Sequence, residues 1–143
     1  MQIQPYLHFE GRADEAIEFY KKALGAKVNH IMRFRDCPEQ PNCPEGGNKF
    51  PPEMLDKVMH ADLTVGESTL LVSDGRCQGP AKFSGFGLPL LVNSEADAKK
   101  YFDALAEGGK VTMPLGKTFF SPQFGMLADR FGVPWMVLVQ QRH

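Results

Sequence analysis

One stretch of this sequence occurs twice in altered form, and that constrains the fold more than any other feature. Residues 16–28 read Ala-Ile-Glu-Phe-Tyr-Lys-Lys-Ala-Leu-Gly-Ala-Lys-Val, a helix, a glycine stop and the start of a strand. Residues 98–111 repeat the plan, with the aromatic pair Tyr101-Phe102 in the place of Phe19-Tyr20 and Gly108-Gly109 in the place of Gly25. Further on, Ala61-Asp62 precedes Gly66 and an apolar stretch, and Ala128-Asp129 precedes Gly132 and another. A duplicated supersecondary unit leaves such a trace, with halves of roughly 75 and roughly 60 residues.

Periodicity supplies the elements of each half. Residues 3–9 read as a strand. Ala13, Ala16, Ile17, Tyr20 and Leu24 recur at helical spacing, and Gly25 offers the left-handed stop. A second strand covers 28–35. Met59, Ala61, Leu63 and Val65 alternate with His60, Asp62 and Thr64, a strand with one polar face. Gly66-Glu67 turns the chain into a strand over 69–73. The second half repeats this: a strand over 86–92, a helix with Ser94 as its N-cap and Asp97 three residues on, then strands near 111–113, 118–120, 124–129 and 134–140. The prediction is an α+β fold of two βαβββ modules, 1–75 and 84–143, in a single domain over 1–143.

One segment has no counterpart in the second half. Residues 36–57 carry Pro38, Pro41, Pro44, Gly46, Gly47, Pro51 and Pro52. A loop of this length in a compact domain is either functional or a tolerated surface insertion, and the two readings weigh about equally here.

Composition excludes several classes. The net charge is -1, and the basic clusters Lys21-Lys22 and Lys99-Lys100 fall on solvated helix faces, so no nucleic-acid partner is expected. No apolar run approaches a membrane span, and the first residues show no secretory signal. Three cysteines argue against a disulfide framework and for reduced thiols in a cytoplasmic protein. Cys37 and Cys43 have five residues between them, outside the usual zinc-knuckle spacing, which favours free loop cysteines over a structural zinc site.

With these elements in this order, the chain resembles the vicinal-oxygen-chelate superfamily of glyoxalase I, fosfomycin-resistance enzymes and bleomycin-resistance proteins, and within it the PhnB-like branch. The residues that carry the resemblance are Pro5-Tyr6, Phe19-Tyr20 followed by Leu24-Gly25-Ala26, and Val72-Ser73-Asp74. Most weight falls on the run 124–136, Phe-Gly-Met-Leu-Ala-Asp-Arg-Phe-Gly-Val-Pro-Trp-Met. The resemblance implies two curved half-barrel sheets with helices outside, a cup inside, and a homodimer. It also implies a small molecule held over a divalent metal, with His, Gln or Glu ligands on the first and last strands of each half. Those positions fall at Pro5, within 87–89 and at Met136, and the strand over 69–73 offers only hydroxyls. None is a good donor to a hard divalent ion, so no metal ligand and no cofactor are expected at the usual site, and a metal would need a non-standard one. Methyltransferase activity has been ascribed to PhnB-like sequences, but the glycine-rich strand-to-helix loop that cradles a nucleotide-like cofactor is missing here. In the same register His8 points toward the helix side, a structural or surface histidine.

Strand alternation sends Met59, Ala61, Leu63 and Val65 under the helices and His60, Asp62 and Thr64 into the cup. His60 and Asp62 would lie about 7 Å apart along one face. Across the cup the second half would offer Phe124, Met126, Ala128, Pro134, Met136 and Leu138, with Ser73 at the rim. An apolar pocket with a few polar groups is the usual make-up of a small-molecule site, with Thr64, Ser73, Phe124, Met126 and Met136 as binding residues. Two functions compete, with a purely structural or regulatory dimer as a third reading. The first is a metal-free binding protein that holds a hydrophobic or aromatic small molecule. The second is a lyase-, isomerase- or dioxygenase-type enzyme, metal-dependent or with His60 as acid or base and Asp62 orienting it. Weighed against both, His60 can satisfy a neighbouring group at a dimer seam, and Met126 and Met136 can fill irregular core space. Trp135 is expected as a core anchor and Asp129 as a turn former bonding backbone amides.

Overall fold

The computed structural model describes residues 1–36, 52–75 and 79–140. The chain divides into two compact units, Met1–Ala81 and Lys82–His143. Each holds one helix and one four-stranded sheet, and the two have the same topology.

In the first unit β1 (Tyr6–His8) leads into α1 (Ala13–Leu24), followed by β2 (Lys27–Arg33), β3 (Val58–Val65) and β4 (Ser68–Ser73). The sheet order is β1-β4-β3-β2. β2, β3 and β4 form an antiparallel meander, and β4 returns beside β1 in parallel. The second unit repeats this with β5 (Leu88–Val92), α2 (Glu95–Ala106), β6 (Lys110–Gly116), β7 (Phe124–Ala128) and β8 (Pro134–Val139), in the order β5-β8-β7-β6. The fold is thus α+β with two βαβββ modules, and neither sheet closes on itself.

The helices form where apolar residues recur on one stripe. α1 buries Ala13, Ala16, Ile17, Tyr20, Ala23 and Leu24, and packs on β3 and β4. It ends at Gly25, whose φ of 68° lets its amide turn back to the carbonyl of Lys21. Its N-terminus has no local side-chain cap. Asp74, just past β4, supplies one instead: its Oδ1 accepts from the amides of Gly11 and Ala13 at 2.9 and 2.8 Å. The expected cap of α2 is present, with Ser94 Oγ accepting from the Asp97 amide at 3.1 Å. α2 buries Ala98, Phe102 and Leu105 against its sheet.

On the helix side of the first sheet, Leu7, Ala61, Leu63, Leu70 and Val72 form the core, Ala61 and Leu63 at 0% exposure. Burying a side chain of this size contributes about 1.5–3 kcal/mol, so this stripe determines which face of β3 points inward. The alternation does not hold along the whole strand. Val58 is fully buried while Met59 is half-buried, because the β2–β3 register shifts between Met32 and Arg33. Met59 and Leu55 instead pack on Phe34 and Met54, a small apolar cluster at the end of the long insertion. A short 3-10 turn, Pro52–Met54, lies in this part of the insertion. Arg33 fastens the same region to α1 through a bidentate pair with Asp14, both bonds 2.9 Å, and a 2.7 Å bond to the Asp56 carbonyl.

Three expectations are corrected. The first strand is three residues long, not seven, because only Tyr6–His8 pair with β4. His8 is exposed beside a buried Leu7, so it lies on the helix-free face with Tyr6. Residues 118–120 are not a strand: the Thr118 hydroxyl and amide and the Ser121 backbone close on each other in a loop, and β6 takes the length predicted for two strands.

Candidate functional site

The helix-free face of the first sheet gathers the polar residues of its alternating strands. Register sets them out row by row: Tyr6 pairs with Leu71 and His8 with Ser73, while Asp62 pairs with Leu71 and also with His30. Ala61 pairs with Val72, so His60 falls beside Ser73. β4 separates β1 from β3, and the Tyr6 side chain reaches across it, two strand spacings or about 9–10 Å. Its hydroxyl meets His60 Nδ1 at 2.9 Å, and the two rings lie edge to face at 5.5 Å. On its other side Tyr6 contacts the His8 ring at 4.9 Å.

Burial pushes the Tyr6 phenol above its ordinary pKa, and a side-chain hydrogen bond with Ser73 opposes part of that rise. The phenol therefore stays protonated through the physiological range. Ser73 is buried at 4% exposure, beneath the expected rim, and its Oγ accepts from the Gly75 amide at 2.9 Å.

His60, Asp62 and Thr64 share this face and are half-buried, but each has its own partner. Asp62 Oδ1 accepts from the His30 amide at 2.8 Å and lies 3.3 Å from His30 Nδ1. Thr64 Oγ1 accepts from Asn29 Nδ2 at 2.7 Å. Asp62 is thus engaged with His30, and His60 Nδ1 is bonded to Tyr6. Tyr6 as the partner of His60, His8 beside Tyr6, and His30 as the partner of Asp62 were missed. A three-residue strand is too short to show alternation, and a bulge between Val28 and His30 resets the phase of β2.

The helix-free face of the second sheet is apolar. Phe124, Met126 and Ala128 of β7 pair with Leu138, Met136 and Pro134 of β8, all half-buried. Leu91 of β5 extends this face, and the Phe120 ring packs on Phe124 at 5.0 Å. The opposite face carries Leu127, Trp135, Val137 and Val139 into the core. Trp135 is the core anchor expected, and Asp129 receives the amides of Phe131 and Val133 at 2.9 and 3.0 Å.

The donor set does not fit the divalent metal that the resemblance implies. Among the described residues no three His, Cys, Asp or Glu side chains come together as a metal group. Pro89 and Met136 face each other across β5 and β8 and offer no hard donor, and Pro5 lies outside β1. Cys37, Cys43, Cys77 and most of the insertion lie outside the described residues.

Two open βαβββ sheets with helices on one face define a known class. Residues 2–137 match the family described as the Glyoxalase/Bleomycin resistance protein/Dioxygenase superfamily, and the chain belongs to that superfamily. It is similar to Protein YjdN of Escherichia coli strain K12, 36% identical over 144 residues that span 97% of this chain and 95% of YjdN. Among solved structures it resembles protein PA1353 from Pseudomonas aeruginosa, 42% identical, with a TM-score of 0.82 and 99% of each chain covered. The PhnB protein from Bacillus cereus is 27% identical, with a TM-score of 0.75, covering 97% of this chain and 99% of the other. No described helix is long and apolar enough to cross a membrane.

Proposed function

We propose that this chain is a metal-independent small-molecule-binding protein and that its ligand docks on the helix-free face of the first sheet. The Tyr6–His60 pair, an exposed phenol bonded to a half-buried imidazole, carries this reading. It places a hydrogen-bonding group, held by a 2.9 Å bond, beside Leu71 and the aromatic rings of Tyr6 and His8. Partly desolvated polar groups set among apolar and aromatic surface are what a small-molecule site requires. The soft and hydroxyl donors at the superfamily's ligand positions support independence from metal. The odd number of cysteines supports residence in the reducing cytoplasm. The open edge strands of both sheets support pairing with a second copy.

The test is calorimetric titration of the full chain with a panel of small aromatic acids, phenols and amines, beside His60→Ala. Binding by the unmodified chain that His60→Ala weakens at least about tenfold supports the reading. A panel without heat or thermal stabilisation, or binding unaltered in His60→Ala, overturns it. Elemental analysis of chelator-free protein that finds stoichiometric Mn, Fe, Ni or Zn overturns the metal-independent part.

An enzyme is the second reading. His60 Nε2 has no partner among the described residues, and an imidazole nitrogen so presented can move a proton.

A further inference from the structure

The hydrogen bonds behind His60 have a direction. The Gly75 amide can only donate, so Ser73 Oγ accepts its proton at 2.9 Å. That leaves the Ser73 hydroxyl proton for Tyr6. Of the groups beside the phenol, the imidazole nitrogen is the strongest base, so the phenol proton lies on the 2.9 Å bond to His60 and the phenol oxygen is left as acceptor toward Ser73. Tyr6, itself protonated, then has one proton to give, and His60 Nδ1 stands 2.9 Å away. A neutral imidazole whose Nδ1 accepts must carry its proton on Nε2. Nε2 lies across the ring from Nδ1 and has no partner among the described residues.

We propose that the chain Gly75–Ser73–Tyr6–His60 holds neutral His60 as the Nε2–H tautomer, and that this N–H receives an oxygen acceptor of the bound molecule: a carbonyl, carboxylate or phenolate. The ligand half rests on the small-molecule reading above; the tautomer half stands without it. Tyr6 and Ser73 are positioning residues that act through His60. The ligand class follows from polarity, since a fixed donor favours acceptors and leaves a protonated amine unpaired. For the enzyme reading, the same tautomer offers the substrate a hydrogen-bond donor at Nε2 and no lone pair there for a base.

Long-range proton–nitrogen NMR correlation on the 15N-labelled full chain tests this. Spectra are taken at a pH where the ring resonances no longer move, and His60 is assigned from its loss in His60→Gln. Expected is a His60 pattern protonated at Nε2, and a return in Tyr6→Phe to the tautomer mixture of a solvent-exposed histidine. Ser73→Ala moves the pattern the same way, and Ser73→Thr, which keeps the hydroxyl, restores it. A ring protonated mainly at Nδ1, or a pattern that Tyr6→Phe leaves unchanged, overturns the relay even if ligands bind the face.

Benzoate and benzylamine are then titrated as probes. Benzoate is expected to shift the His60 Nε2–H signals and to bind about fivefold more weakly to Tyr6→Phe, the value of one neutral hydrogen bond. Benzylamine is expected to leave those signals in place. If the tautomer is as stated but benzoate leaves His60 unmoved, or benzylamine matches it, the acceptor class is overturned. If neither probe nor the wider panel binds at all, the small-molecule reading fails while the tautomer stands.

Discussion

The indole Nε1–H of Trp135 donates to Asp129 Oδ2 at 2.9 Å and so ties the first residues of β8 to the end of β7. The other oxygen of Asp129 accepts from Phe131 and Val133. A carboxylate at 3% exposure is tolerable here because three N–H groups surround it.

Asp129→Ala leaves those three buried donors without their acceptor, and a loss of about 3 kcal/mol is expected in urea unfolding. Trp135→Phe keeps most of the apolar volume but removes one donor. Its expected loss is smaller, about 1–2 kcal/mol. Equal losses would mean that ring packing, not the hydrogen bond, dominates at this hairpin.

Asp74 is fully buried and has the equivalent position in energetic terms, with a different role. Its Oδ1 serves Gly11 and Ala13, and its Oδ2 serves Val58 at 2.8 Å, so one side chain joins the start of α1 to the start of β3. All three partners are donors. Asp74→Asn offers only one acceptor oxygen and turns an NH2 toward an N–H, so about 2–3 kcal/mol of stability should be lost despite the matched size. Unfolding midpoints for Asp74→Asn and the parent chain measure it.

Gly109 and Gly66 should respond to alanine by very different amounts. A Cβ at Gly109 would strike the carbonyl oxygen of Ala128 and lie 2.7 Å from the carbonyl carbon of Asp129, both backbone atoms at the end of β7, where the β6–β7 ladder begins. Gly109→Ala is expected to cost about 3 kcal/mol. Gly66, in the β3–β4 turn with φ of 59°, faces open space, so Gly66→Ala bears only the left-handed backbone cost of about 1 kcal/mol. Thermal melts of the two variants rank them.

Tyr6 carries a pH signature. Burial raises its phenol pKa in the folded chain above the unfolded value of about 10. The protonated phenol therefore favours the folded state fully below that unfolded value, and this contribution is lost as pH rises through the folded pKa. Absorbance titration of the parent chain should contain a late tyrosine ionisation that Tyr6→Phe lacks, with the alkaline fall in stability reduced in that variant. A late absorbance change of equal size in both proteins would sink the assignment.

The two helices and the polar face of β3 were legible in the chain itself. Ala13 to Leu24 and Ala98 to Leu105 show helical spacing, and a glycine or a serine marks an end of each. His60, Asp62 and Thr64 follow from alternation against Ala61 and Leu63. These signals are local, encoded within one element's period. The similarity of Ala61-Asp62 to Ala128-Asp129 misleads at the level of roles. Asp62 stands inside β3, half-buried against His30, whereas Asp129 is buried in the turn beyond β7.

What alternation alone determined was the face of each strand; what surrounds a residue on that face came from tertiary structure. His60 was readable as a polar residue on β3, but its partner is Tyr6, 54 positions away. That partner is set by β1 running parallel to β4 and by Tyr6 reaching across it. Asp74 caps a helix that begins 61 residues earlier. Periodicity records which way a side chain points relative to its own backbone. Pairing between distant strands is decided by the whole sheet's burial and hydrogen bonding, and no single segment carries that information.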